Sequence, residues 1–116
     1  MTHNMKLNPE PFNMISSGQK TIELRLNDEK RQLINISDKI VFTNTADSEQ
    51  KITAIVEELH KFNSFEELYN TLPLLKCGYT EIDITKANPK DMELYYSKEQ
   101  QKKYGVLGIE IRVTYK

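Results

Sequence analysis

The stretch Gly18-Gln19-Lys20-Thr21-Ile22-Glu23-Leu24-Arg25 gathers an ammonium, a hydroxyl, a carboxylate and a guanidinium into one short segment. Glycine tolerates the left-handed turn by which a chain leaves a helix, so Lys20 is expected at the mouth of the following strand. Side chains alternate along a strand, which sets Thr21, Glu23 and Arg25 side by side with Lys20 close by at the bend. In that setting Lys20 and Arg25 could grip a phosphate or a base edge. Glu23 could instead activate a water, if burial raised its pKa. The plainer alternative is a surface strand on which Glu23 and Arg25 pair and do nothing more.

A second polar stretch, Tyr95-Tyr96-Ser97-Lys98 through Lys102-Lys103-Tyr104, interleaves aromatics with bases as single-stranded nucleic-acid surfaces do. Its simpler reading packs Tyr95 and Tyr104 in the core while Lys98, Lys102 and Lys103 solvate a helix face. His3 and His60 lie far apart with no ligand-spaced partner, so no metal site is expected. Cys77, beside Gly78 after a Leu-rich approach, fits a small buried apolar residue better than a nucleophile. No Ser/His/Asp arrangement, phosphate loop or dinucleotide fingerprint occurs, and no cofactor is implied.

These groups must be held by elements that the sequence marks out. Asn8-Pro9-Glu10 opens a helix over about residues 9–17, with Asn8 as N-cap, Phe12, Met14 and Ile15 on its apolar side, and Gly18 as its stop. Ile22, Leu24 and Leu26 then alternate with Thr21, Glu23 and Arg25. Further strands are expected from Lys39 to Thr43 and from Lys51 to Leu59, joined by a turn at Ala46-Asp47-Ser48. Ser64 with Glu67 forms a capping box for a helix through Leu72, ended by Pro73. Asn88-Pro89 starts another short helix carrying Met92, Leu94 and Tyr95, and Ser97 with Gln100 caps one that stops at Gly105. From Val106 onward Leu107, Ile109, Ile111, Val113 and Tyr115 share one face of a half-buried strand.

The 116 residues carry 16 Lys+Arg against 17 Asp+Glu, a balance that excludes a uniformly basic nucleic-acid coat and an acidic solvating tail. Charge is nonetheless segregated: in residues 96–116 Lys98, Lys102, Lys103, Arg112 and Lys116 oppose only Glu99 and Glu110. The length suits one domain over 1–116. A single cysteine precludes an intramolecular disulfide, and no stretch has the length of a signal peptide's apolar region or a membrane span. A cytoplasmic protein without a membrane partner is expected. Four or five strands with too few crossover helices for a doubly wound sheet point to the α+β class, in which closure into a small barrel would cover the sheet edges.

The spacing G-x-K-x-x-E-x-R resembles the signature of the ASCH domain family, relatives of the PUA RNA-binding fold, and Gly18, Lys20, Glu23 and Arg25 match all four positions. The Asn8-Pro9-Glu10-Pro11-Phe12 start, Ser37 to Phe42, and the ending from Tyr104 to Ile109 are similar to the family's first helix, post-motif strand and closing strand. The resemblance implies a small PUA-like mixed β-barrel of about five to six strands with flanking short helices. It also implies a cleft lined by Lys20, Thr21, Glu23 and Arg25 that takes RNA or a nucleoside-type ligand. One branch of the family removes the acetyl group from acetylated cytidine with a Lys, a Thr nucleophile and a Glu. Lys20 matches that Lys, Glu23 stands where the branch has its Thr, and Glu81 is a candidate for its Glu. A hydrolase acting on an acylated nucleoside or on RNA would therefore use Lys20 and Glu23 as its pair, with Glu23 as general base.

Overall fold

The computed structural model describes residues 1–115, excepting the side chain of Tyr115. The expectations for the face of the Tyr115 side chain and for Lys116 fall outside the described residues.

Helix α1 spans Pro9–Ser17, as the sequence predicts, with Phe12 and Ile15 buried. Gly18 takes φ 87°, and its N–H donates to the Ile15 carbonyl at 3.1 Å, so the chain turns sharply into β2 (Ile22–Leu26). Strand β3 covers Lys39–Asn44 and β4 covers Asp47–Phe62. Their turn is Thr45-Ala46, earlier than expected, because the Asn44 side chain accepts from the Ala46 N–H at 2.9 Å and bends the chain there. Strand β4 is accordingly longer than the Lys51–Leu59 expectation. Helix α2 (Phe65–Thr71) begins at Ser64, which accepts from the Glu67 N–H. A run of short 3-10 turns then leads to α3 (Lys98–Tyr104) and β5 (Val106–Tyr115). The helix expected after Asn88 is one of these turns, Pro89–Leu94, capped by Asn88 as expected and also by Asp91, which was not anticipated.

One strand was not anticipated. Residues Thr2–Leu7 form β1, which pairs in parallel with β3, while the other pairings are antiparallel in the order β1-β3-β4-β5-β2. The sheet curls into a half-barrel with short helices around it. Pairing opposite residues fixes what each face sees: Glu23 stands across from Ile109 and Arg25 across from Leu107, whereas Leu24 stands across from Gly108. The face of Ile109 and Leu107 lies inside the curl, where Met5, Phe12, Ile15, Ile40, Phe42 and Ile52 form one buried cluster. On the opposite face Ile22, Leu24 and Val106 pack against Phe65, Leu68 and Leu72. Each such side chain contributes about 1.5–3 kcal/mol by leaving water. Strand β2 is thus sandwiched, and the alternative of a solvent-facing surface strand is overturned by its position between two cores.

Candidate functional site

Lys20 and Glu23 are among the few charged side chains buried in the protein, at 9% and 3% exposure. Lys20 leaves the Gly18 turn with its backbone N–H on the Met14 carbonyl. The Lys20 ammonium meets Glu23 Oε1 at 2.7 Å. The second carboxylate oxygen, Oε2, accepts from Arg25 Nε at 2.9 Å and lies 2.8 Å from Nη2. Burial alone would raise the Glu23 carboxyl, but the adjoining Lys20 and Arg25 charges and their hydrogen bonds outweigh it and hold the group below its ordinary value. Burial likewise opposes the charge on Arg25, and Glu23 and Tyr96 more than restore it. Two basic side chains thus face one carboxylate, a formal excess of one positive charge.

This unit forms part of the wall of a cavity of about 510 Å³, into which Lys20, Glu23 and Arg25 all open. The opposite wall comes from the irregular segment between α2 and α3. There the Tyr79 hydroxyl donates to Asp91 Oδ2 at 2.7 Å, which leaves the Tyr69 hydroxyl to donate to Tyr79 at 2.6 Å. Burial and then these hydrogen bonds push the Tyr79 phenol far above its usual range, so it stays protonated. Tyr96 stacks on Phe65 with ring centroids 6.2 Å apart, while Tyr95 stands at the rim, 67% exposed. Gly78 lies over the Lys20 stem; a Cβ there would sit 3.4 Å from Lys20 Cδ.

The structure brings together three of the four motif residues predicted to line a cleft. Thr21 is outside the lining, its backbone being used to pair with Lys76 and Ile111. Glu81 is exposed and outside it too; the acidic groups that line the cavity besides Glu23 are Glu10, Asp83 and Asp91. Cys77 is buried in the cavity wall, and burial pushes its thiol up to about 11, as befits an inert residue. The expectation that Tyr95 packs in the core is corrected: Tyr96 packs instead, and Tyr104 is half-buried with its hydroxyl donating to Glu29. Lys98, Lys102 and Lys103 are exposed, and none of them lines this cavity. Tyr79, Asp91 and Tyr96 were missed as site residues. Of these, Tyr96 was visible in the sequence only as part of the aromatic–basic run, and Tyr79 and Asp91 gave no signal. Among the described residues no group of three His, Cys, Asp or Glu side chains is placed to hold a metal ion, and no helix is long and apolar enough to cross a membrane.

The curled five-stranded sheet with short helices around it places the chain in the α+β class. Within that class the chain belongs to the ASCH domain family, whose profile matches residues 5–114. It is similar to hypothetical protein PH0355, with 31% identity and a TM-score of 0.81 over 98% of this chain and all of that one. It is also similar to protein PF0455 from Pyrococcus furiosus, with 30% identity and a TM-score of 0.74 over 97% of each chain. The ASCH domain from Lactobacillus crispatus JV V101 shares 11% identity and a TM-score of 0.66 over 98% of this chain and 81% of its own, a likeness of fold alone. No curated protein matches the sequence significantly.

Proposed function

We propose that the cavity binds a nucleoside-type ligand, free or within RNA, with its acceptor oxygens turned toward Lys20 and Arg25. The observation that carries this reading is the excess positive charge of the buried Lys20–Glu23–Arg25 unit in the wall of a cavity with Tyr95 at its rim. A cavity of this size suits a small organic ligand. Lys20 and Arg25 supply donors to a phosphate or carbonyl, and the exposed Tyr95 ring offers a stacking surface for a base. Glu23 spends both oxygens on its two cationic neighbours, so its role is to position them. Asp91 keeps acceptor capacity beyond its bond to Tyr79, which suits an exocyclic amine or a ribose hydroxyl across the cavity.

The hydrolytic alternative needs Glu23 to take a proton from water. Its lowered pKa and its two engaged oxygens weigh against that role, and binding is the reading the geometry supports better. Titration of wild type and Lys20→Met with short RNAs and with free and acetylated nucleosides tests it. Binding that weakens at least about tenfold in Lys20→Met supports the cleft. Equal affinity of both proteins overturns it, and turnover of acetylcytidine that Glu23→Gln abolishes would install the hydrolase instead.

A further inference from the structure

A second cavity of about 490 Å³ lies at the other end of α3. Lys61 from β4 and Lys102 and Lys103 from α3 line it, with Glu67 as the one opposing charge, and the Tyr104 ring forms part of its wall. The three lysines are exposed, and among the described residues no acidic side chain lies within 4 Å of their ammonium groups; the Lys103 ammonium sits 5.0 Å from the centre of the Tyr104 ring. Asn27, one residue past the end of β2, also lines it; its Oδ1 is buried without a hydrogen-bond partner. A buried carbonyl oxygen left unpaired is unfavourable and marks this wall as an incompletely satisfied one.

The two cavities are connected by continuous structure. Arg25 opens into the first and Asn27 into the second, two residues apart on one segment and so about 7 Å along it. Helix α3 makes the same journey, from Tyr96 just before its start to Tyr104 at its end, over about 10 Å. Lys98 and Lys102, four apart on that helix, share one of its faces, with the Lys98 ammonium 3.6 Å from Glu93 Oε1.

We infer that the second cavity is a backbone subsite: Lys61, Lys102 and Lys103 hold a phosphate of a single-stranded RNA whose neighbouring nucleotide occupies the Lys20–Arg25 cleft. This rests on the reading of the cleft given above and extends it from a lone nucleoside to a chain of a few nucleotides. Asn27 in the wall is placed to meet the ribose 2′-hydroxyl, a group that deoxyribose lacks. The arrangement explains how a protein of net charge −1 engages a polyanion, because the basic groups are concentrated along one short path.

The test compares a free nucleoside, a single-stranded RNA of about six nucleotides and the same sequence as DNA, against wild type, Lys20→Met and the double variant K102E/K103E. The lysines of the double variant are exposed, so its melting temperature should match wild type. The expected result is that K102E/K103E binds the RNA at least about tenfold more weakly, with a salt slope shallower by about 0.7, the share of one phosphate on a single strand, and binds the nucleoside as wild type does. RNA affinity and salt slope unchanged in K102E/K103E overturn the subsite while leaving the cleft standing. RNA affinity unchanged in Lys20→Met overturns the cleft, and with it the continuous path. DNA bound as tightly as RNA overturns the assignment of Asn27.

Discussion

Arg25 Nη2 donates to the backbone carbonyl of Lys6 at 3.0 Å, and this bond joins the two edge strands of the sheet. Strands β1 and β2 have no ladder between them, so the seam of the half-barrel is bridged here by a side chain. The same guanidinium holds Glu23, which makes one residue both a clasp and a site wall.

Replacing Arg25 should therefore disturb stability and binding together. Arg25→Met leaves a buried carboxylate with only Lys20 and is expected to cost about 3 kcal/mol in denaturant unfolding, along with most of the ligand affinity. Arg25→Lys keeps the charge but cannot reach Glu23 and the Lys6 carbonyl at once, and it should recover only about half of the loss. Full recovery of both properties by lysine would show that the fork geometry is immaterial.

Acid should loosen the protein in two places. His3 donates to Asp38 Oδ2 at 2.8 Å, and that bond, with the Asn35 N–H, lowers the Asp38 carboxyl to about 2 from an ordinary 3.8. A carboxyl lowered on folding stabilises the native state above its unfolded pKa, and that contribution fades as pH falls toward the folded value. Glu23, also lowered, follows the same sign below its ordinary 4.5. Melting temperature should fall between pH 4.5 and 2, and Asp38→Asn should flatten the lower part of that fall. An unchanged slope in Asp38→Asn would show that other carboxyls drive it.

Two glycines at helix ends should differ in what they tolerate. Gly18 and Gly105 both have positive φ, 87° and 73°, but a Cβ on Gly18 meets open space while one on Gly105 would lie 2.8 Å from the Phe62 carbonyl oxygen. Gly18→Ala should cost about 1 kcal/mol and Gly105→Ala at least about 2 kcal/mol, read from chemical denaturation. Equal costs would mean that backbone conformation alone decides at both positions.

Cys77 should be slow to alkylate. With its thiol at about 11 in place of 9.0, the thiolate fraction near neutral pH is about a hundredfold lower than in the unfolded chain. Iodoacetamide labelling of the native protein should be slower by at least that factor than labelling in denaturant, and a ligand in the cleft should slow it further. Rapid native labelling would show that the cavity wall opens.

Much of this arrangement could be read from residue order, and the failures have local causes. Pro9 and Gly18 bracket α1 because each suits only one end of a helix, and Ser64 and Ser97 announce their helices by capping. The motif residues were legible because a helix stop followed by strand alternation leaves little freedom in where Lys20, Glu23 and Arg25 go. Strand β1 was hidden because His3 stands at an inward position, so that His3, Met5 and Leu7 do not read as an apolar face until Asp38 is seen to satisfy the imidazole. The far wall of the cavity was not legible at all. Its 3-10 turns have no sustained periodicity to say that Tyr96 turns inward and Tyr95 outward, and Tyr79 finds Asp91 through tertiary packing.

The pairing of β2 with β5 also sets a schedule for synthesis. Glu23 is held opposite Ile109, a partner made 86 residues later. While the chain is being elongated, α1 and the β3–β4 hairpin can form from near neighbours, but β2 has no strand to lie against until residues 106–110 have emerged. Lys20, Glu23 and Arg25 leave the ribosome well before the strand that brings them to their working positions. A nascent chain exposes their charges without the cleft, which is complete only when the closing strand is in place.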